Sequence, residues 1–264
     1  MRLALGLQYD GSAFRGWQTQ AGGGTVQDAV EHALEQLAGC PVPTICAGRT
    51  DAGVHAACQV IHIDPPVARP LTAWVRGVNR FLPPAVAVRW AVQVDDSFHA
   101  RFSARTRRYD YWLLNDPVRS PLLDRRAGWM PRPLAIEPMR QAAAMLVGRH
   151  DFSAFRSAEC QAASPVRDLH ELGIERFGNL IRFRLVANAF LHHMVRNLVG
   201  SLVYVGLGRQ PPQWIAEVLA GRDRTAAAPT FPAAGLYLTG VEYDPAFGLP
   251  APLDELAPGC GARA

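Results

Sequence analysis

The sequence predicts an α+β fold: two ferredoxin-like halves, each β-α-β-β-α-β, forming one broad mixed or antiparallel sheet with helices on one face and an active-site cleft between the halves. Three observations predict it. Strand-like alternation of apolar residues recurs along the chain. Stripes at helical period fall between the strands. The two patterns come in the same order in residues 1–100 and 101–244, with an extra helix in the second half. The chain's 264 residues can bury such a core, and 49% hydrophobic against 19% charged residues excludes a mainly disordered chain.

The elements follow in order. Residues 2–9 place Leu3, Leu5, Leu7 and Tyr9 on one face, as a strand does. Thr25 to Leu37 reads as a helix: Thr25 can cap it, Asp28 stands three residues on, and Val26, Val30, Ala33, Leu34 and Leu37 form the stripe. Residues 43–47 and 56–63 alternate on either side of a polar loop. A helix over about 71–82 and a strand over 86–94 complete the first half. The second half opens with a strand at 107–114 and a helix at about 138–147, bracketed by Pro138 and Gly148. Strands 168–175 and 180–187 pair across Phe177-Gly178-Asn179. A long apolar helix over about 189–206, another over 211–220 and a strand at 236–243 close the pattern. Pro, Gly and Ala dominate from about 245, which predicts a loose C-terminal tail over 245–264.

All 27 basic residues are arginine, against 23 acids, for a net charge of +4. Codon usage in a GC-rich genome is the plain reason; in either case every cation is a planar fork suited to phosphates and to base stacking. Residues 101–132 hold eight arginines and three aspartates, and so carry the whole positive excess. That points to a polyanion partner, with a solvated basic face as the alternative. Five cysteines without a CxxC argue against a disulfide framework or zinc site and fit a reducing cytoplasm. The first residues alternate like a strand and lack the apolar core of a signal peptide, and no apolar run is long enough to span a membrane. A cytoplasmic protein without membrane contact is expected. No Walker-type loop or GxGxxG supports a nucleotide cofactor.

Three segments carry chemistry. Ala47-Gly48-Arg49-Thr50-Asp51-Ala52-Gly53-Val54-His55-Ala56 is a polar, glycine-punctuated loop between two apolar strands, where a working carboxylate is expected. The alternative is that Asp51 merely forms an Asx-turn before Ala52-Gly53. Arg196 stands in a helix apolar around much of its circumference, so it needs a carboxylate partner from elsewhere, and Asp51 is a candidate. The alternative puts Arg196 on the one wet face. Within that helix, His192 and His193 would point about 100° apart, which argues against a shared metal ion. On the strand Arg107-Arg108-Tyr109-Asp110-Tyr111, Arg107 and the two tyrosines share one face. Such a face can stack bases while phosphates are held, or simply turn its tyrosines to the core.

Phe14-Arg15-Gly16-Trp17-Gln18-Thr19-Gln20, the GRTDAGVHA loop, Phe98-His99-Ala100-Arg101-Phe102-Ser103-Ala104, RRYDY, His150-Asp151-Phe152-Ser153-Ala154-Phe155, NAFLHHMVRN and Gly235-Leu236-Tyr237-Leu238 occur in that order. Over about residues 1–244 the chain thereby resembles the tRNA pseudouridine synthase A family. The resemblance implies conversion of uridine to pseudouridine at positions 38, 39 and 40 of the tRNA anticodon stem-loop, with no cofactor and no metal, by a homodimer. It assigns catalysis to Asp51, Tyr109 and Arg196. Arg196 would hold the carboxylate ionised, and Tyr109 would stack on the uracil and stand as a candidate for removing the C5 proton. Arg49 would fill the stack vacated by the flipped base, and Leu236 or Leu238 would wall the pocket. Arg15, Arg101, Arg105, Arg107 and Arg108 would contact RNA. Asp110 stands where the resemblance leads one to expect a basic residue, a departure bearing on a local RNA contact and not on the catalytic set. Two other classes compete. A non-catalytic RNA-binding protein would not need the Asp51, Tyr109, Arg196 set, and a carboxylate-dependent hydrolase would need a second acid or a metal beside Asp51.

Overall fold

The computed structural model describes residues 1–252. In chain order the elements are β1 (Arg2–Tyr9), α1 (Val26–Ala38), β2 (Ile45–Cys46), β3 (His55–Ile63), α2 (Leu71–Phe81), β4 (Val86–Val94), β5 (Thr106–Asn115), β6 (Gly128–Met130), α3 (Ile136–Ala144), β7 (Gly148–Asp151), β8 (Val166–Phe177), β9 (Leu180–Ala187), α4 (Met194–Gly206), α5 (Trp214–Gly221) and β10 (Leu236–Glu242). The fold is α+β. The chain divides into two compact units, residues 1–106 with 237–252, and residues 107–236.

In the first unit β1 is the central strand, antiparallel to β3 on one side and to β4 on the other. Its alternation hides a strand buried on both faces: Leu3, Ala4, Leu5 and Leu7 are all buried. The second face is filled by Trp90 of β4, whose indole lies across Gly6 where any Cβ would collide with it. The free edge of β3 is shared. β2 pairs antiparallel with residues 61–62, and β10 pairs parallel with residues 55–56. Helix α1 starts as its sequence requires. Thr25 accepts from the Asp28 N–H, Asp28 accepts from the Thr25 N–H, and Gly39 ends the helix in the left-handed region at φ 81°. Helix α2 is tied to β4 by one amide: Asn79 donates to the Val88 carbonyl and accepts from its N–H, both at 2.8 Å.

In the second unit β9 lies between β5 and β8, antiparallel to both, with β7 on β8 and β6 parallel to β5. Strand β9 alternates strictly: Ile181, Phe183, Leu185 and Ala187 are buried, and Arg182 and Arg184 lie on the other face. The β8–β9 turn uses Gly178 at φ 59°. Helix α4 is buried on nearly all sides, consistent with its lack of a polar stripe. No helix among the described residues is long and apolar enough to cross a membrane.

The structure differs from the sequence reading at several points. Strands β6 and β7 were not expected, and β2 is only two residues long. Helix α3 begins two residues before Pro138, which sits in the first turn, where no N–H is required. Helix α4 begins at Met194 rather than near 189, because His193 takes a left-handed conformation at φ 62° and the His192 carbonyl accepts from the Ser157 N–H. The expected tail begins as a short 3-10 turn, Pro245–Phe247, capped by Asp244, with Phe247 edge-on to Phe98. From residue 253 it lies outside the described residues.

Candidate active site

Asp51 stands in the loop between β2 and β3, half-buried, between buried Thr50 and exposed Ala52. The Val54 N–H donates to the Asp51 carbonyl at 3.1 Å, closing a four-residue turn, and Gly53 supplies the positive φ of 77° that a type II turn needs. An Asx-turn would instead use the Gly53 N–H, and that N–H donates to the Phe14 carbonyl at 3.4 Å. The turn is thus closed by a backbone hydrogen bond.

Two further parts of the first unit clamp the same loop. The strap after β1 runs alongside it: the Trp17 N–H donates to the Thr50 carbonyl at 2.9 Å, and Gly16, at φ 93°, lies so close to the Thr50–Ala52 backbone that a Cβ would clash. From below, the Tyr9 hydroxyl is hydrogen-bonded to Thr50 Oγ1 at 2.8 Å, and Gln59 Nε2 donates to the Gly48 carbonyl at 2.6 Å. All four groups are buried or nearly so, where a hydrogen bond is costly to break. At the loop's end His55 is buried, stacks on Tyr237 with centroids 4.5 Å apart, and accepts the Gly11 N–H on Nδ1 at 3.1 Å. A carboxylate on this loop is therefore held by a rigid frame. The sequence carries no signal for the clamp role of Tyr9, Trp17, Gln59 and His55, Tyr9 being readable there as a strand-face residue. Of the four, only Trp17 and His55 fall inside the motifs.

In the second unit Tyr109 lies on β5, buried, with the Phe190 ring edge-on at 5.1 Å. Tyr111, on the same face, sits between Phe183 and Phe231 and donates its hydroxyl to the Pro232 carbonyl at 2.9 Å. Burial pushes its phenol well above the ordinary range, and the positive charge of Arg196 works in the opposite direction. Arg196 is half-buried in the first turn of α4. Its Nε donates to the Phe231 carbonyl at 2.8 Å, and its own carbonyl accepts the Phe231 N–H at 3.2 Å. The sequence left a buried guanidinium or one on a wet face; the structure half-buries it and engages it with the 229–232 loop.

That loop is fixed by a polar knot. Asn197 is fully buried, donates to the Phe155 carbonyl at 2.7 Å, and accepts from Thr230 and Arg224 at 2.6 and 3.0 Å. Gly200 has no side chain because the Pro229 carbonyl occupies that space. His192 and His193 precede α4 rather than lying on it, and their rings are 4.0 Å apart. The helical-spacing argument against a shared ion therefore does not hold for this pair.

The other expected residues are distributed as follows. Arg49 is exposed beside Asp51. Leu236 and Leu238 share a face of β10 and are both buried. Arg15, Arg101 and Arg105 are exposed, Arg105 being ion-paired with Asp244. Arg108 is half-buried. Arg107 does not fit a phosphate contact: it is buried, and its Nη1 donates to the Asn188 carbonyl at 2.8 Å, bracing the end of the β5–β9 pairing. Asp110 faces away from the tyrosines, is 1% exposed, and pairs with both Arg184 Nε and Nη2 across the strands at 2.9 and 3.0 Å. Its acid is a strand-to-strand brace and not part of an RNA-facing surface.

A family model described as tRNA pseudouridine synthase matches residues 7–103 and 142–244. Among curated proteins, the tRNA pseudouridine synthase A of Dechloromonas aromatica is 59% identical over 259 residues, covering 98% of this chain and 99% of that protein. The tRNA pseudouridine synthase A of Burkholderia multivorans is 60% identical over 250 residues, 95% of this chain and 93% of that one. That of Janthinobacterium sp. strain Marseille is 58% identical over 255 residues, 94% of each. With matches of this extent on a chain that carries the clamped Asp51 loop, the protein belongs to the tRNA pseudouridine synthase family.

Proposed function

We propose that this protein converts uridine to pseudouridine at positions 38, 39 and 40 of the tRNA anticodon stem-loop, with Asp51 as the catalytic carboxylate. The observation that carries the reading is the Asp51 turn, closed by the Val54 N–H to Asp51 carbonyl bond and clamped through Thr50, which fixes the backbone that carries the carboxylate. The reaction is an isomerisation. The N1–C1′ bond breaks with its electron pair passing to the uracil, the base turns, C5 bonds to C1′, and the C5 proton leaves as N1 regains one. A fixed carboxylate suits the first step because it can attack an electrophilic carbon or take a proton and later depart. The target base must leave its stack, which costs a few kcal/mol. Tyr109 then stacks on the uracil and takes the C5 proton, and Arg196 serves as the basic partner of Asp51. Arg49 fills the vacated stack, and the buried apolar face of Leu236 and Leu238 backs the base. Arg15, Arg101, Arg105 and Arg108 hold the phosphate backbone. The residues take up these roles without a cofactor, in a homodimer.

The test is tritium release from an unmodified tRNA transcript labelled at uridine C5. Wild type releases tritium, and Asp51→Asn folds, binds tRNA and releases it at least about 10³-fold more slowly. An Asp51→Asn variant with wild-type release removes Asp51 from the mechanism.

A further inference from the structure

Phe102 is the most exposed aromatic side chain among the described residues, at 75%. Exposed apolar residues on loops are commonly mobile. The segment that carries this one is tied down along its length.

The pinning lies entirely within the first unit. The Phe102 ring stacks on His99, with centroids 4.3 Å apart and planes inclined by 30°. His99 in turn is fixed by its own loop: its Nδ1 accepts the Arg101 and Phe102 N–H groups, both at 3.2 Å, and its N–H donates to Ser103 Oγ at 2.9 Å. Below it lies His62, buried, edge-on at 4.8 Å, with Nδ1 accepting the Ala100 N–H at 3.1 Å. The Ala100 carbonyl accepts from Tyr243, and the Phe98 and Asp96 carbonyls accept from Arg2. Phe98 anchors the segment in the core, wholly buried against Tyr243 and Phe247. The Arg101 guanidinium sits over the Phe102 ring, 5.5 Å from its centre.

The arrangement is a single flat ring held out to solvent on an aromatic pedestal, with a cation over it. It is not a broad apolar patch: the neighbours Arg101, Ser103 and Ala104 are charged or small. One ring 75% exposed, with a mobile-stemmed guanidinium over it that can turn to a phosphate, matches one planar heterocycle attached to a phosphate chain. Because the ring is already fixed, little ordering entropy is lost when a partner stacks on it.

We propose that Phe102, seated on His99 and flanked by Arg101, is a stacking platform for an unpaired nucleobase of the tRNA other than the target uridine. The inference rests on the tRNA-modifying reading above. Stacking and phosphate neutralisation differ in one measurable respect: the first is insensitive to salt, and the second sets the slope of log K against log salt. The experiment measures binding of a fluorescently labelled unmodified tRNA transcript by anisotropy across a salt series, for wild type, Phe102→Ala and Phe102→Trp. Thermal melts show whether the variants fold as wild type, as expected for a ring so exposed.

Phe102→Ala is expected to bind about tenfold more weakly at every salt concentration with an unchanged slope, and Phe102→Trp to restore affinity with its emission quenched by the RNA. Wild-type affinity in Phe102→Ala overturns the platform, and so does a loss of affinity that appears only as a shallower slope. Tritium release by wild type separates this result from the parent reading. A wild type that binds tRNA without releasing tritium refutes the synthase assignment, and the Phe102 comparison still decides the platform. A wild type that binds no tRNA refutes both.

Discussion

His62 shows what a single buried side chain costs and contributes. Burial pushes its pKa down from 6.5 to about 4, helped by the positive charge of Arg2 and by His99, with Asp64 opposing. The neutral ring is the form the structure uses, since Nδ1 must accept the Ala100 N–H. The folded protein therefore binds this proton more weakly than the unfolded chain does. Stability from the site is complete above pH 6.5 and is lost as the pH falls toward about 4. Asp28, Asp64 and Asp151 have pKa values held below the ordinary 3.8, so their contributions are lost at lower pH than most of this window. Urea midpoints measured from pH 7 to 4.5 should fall for wild type, and His62→Asn, which keeps an acceptor, should flatten the curve. Equal slopes in the two proteins would show that His62 is not the titrating group. At the same scale, the Asp51 loop was legible because glycine and polar residues interrupt two apolar strands. Its clamp was not, because Tyr9 and Thr50 are 41 residues apart and nothing local to either marks the bond.

Among the elements, β5 carries two kinds of side chain on two faces, and the distinction decides what each residue does. The face of Tyr109 and Tyr111 is buried in this unit, and Arg107, two positions before Tyr109, lies on it with them. Alternation puts Arg107 on the tyrosines' face, and what takes it out of the phosphate contacts is its bond to the Asn188 carbonyl. The opposite face carries Asp110, paired across to Arg184 of β9, and hydrogen bonding to Asp110 is the main cause that raises the Arg184 pKa. A buried pair of this kind is costly to break and cheap to replace. Asp110→Ala should lower stability by about 3 kcal/mol in urea unfolding, by leaving a partly buried guanidinium without its acid. The double variant Asp110→Leu with Arg184→Leu should recover most of the loss. A double variant as unstable as the single one would contradict this account. Element positions with local causes were legible: β1 falls on its expected residues, and α1 starts at its capping box. Those set by distant partners were not. β6 exists only because β5 lies beside it, and the start of α4 is set by His193 and a bond from Ser157.

For the whole molecule the net charge of +4 is small, and how the arginines are used matters more than their number. Within the stretch that holds the positive excess, Arg105 is balanced by Asp244, Arg107 is spent on a carbonyl, and Asp110 is consumed by Arg184 from outside the stretch. Sequence counting therefore overstates the charge this stretch presents and misplaces part of it. If tRNA is held through phosphates by the exposed arginines, log K should fall against log salt with a slope of magnitude about 3 or more. Arg15→Ala and Arg101→Ala should each weaken binding and reduce the slope by about 1, because each removes one neutralised phosphate. Arg107→Ala should behave differently: the slope stays at its wild-type value while the urea midpoint falls, since what is lost is a brace at the end of β5–β9. A shallower slope in Arg107→Ala with unchanged stability would put Arg107 on the RNA after all. Wild-type slopes in both Arg15→Ala and Arg101→Ala would mean that the affinity comes from stacking and shape, and that the arginine-rich stretch is a solvated face.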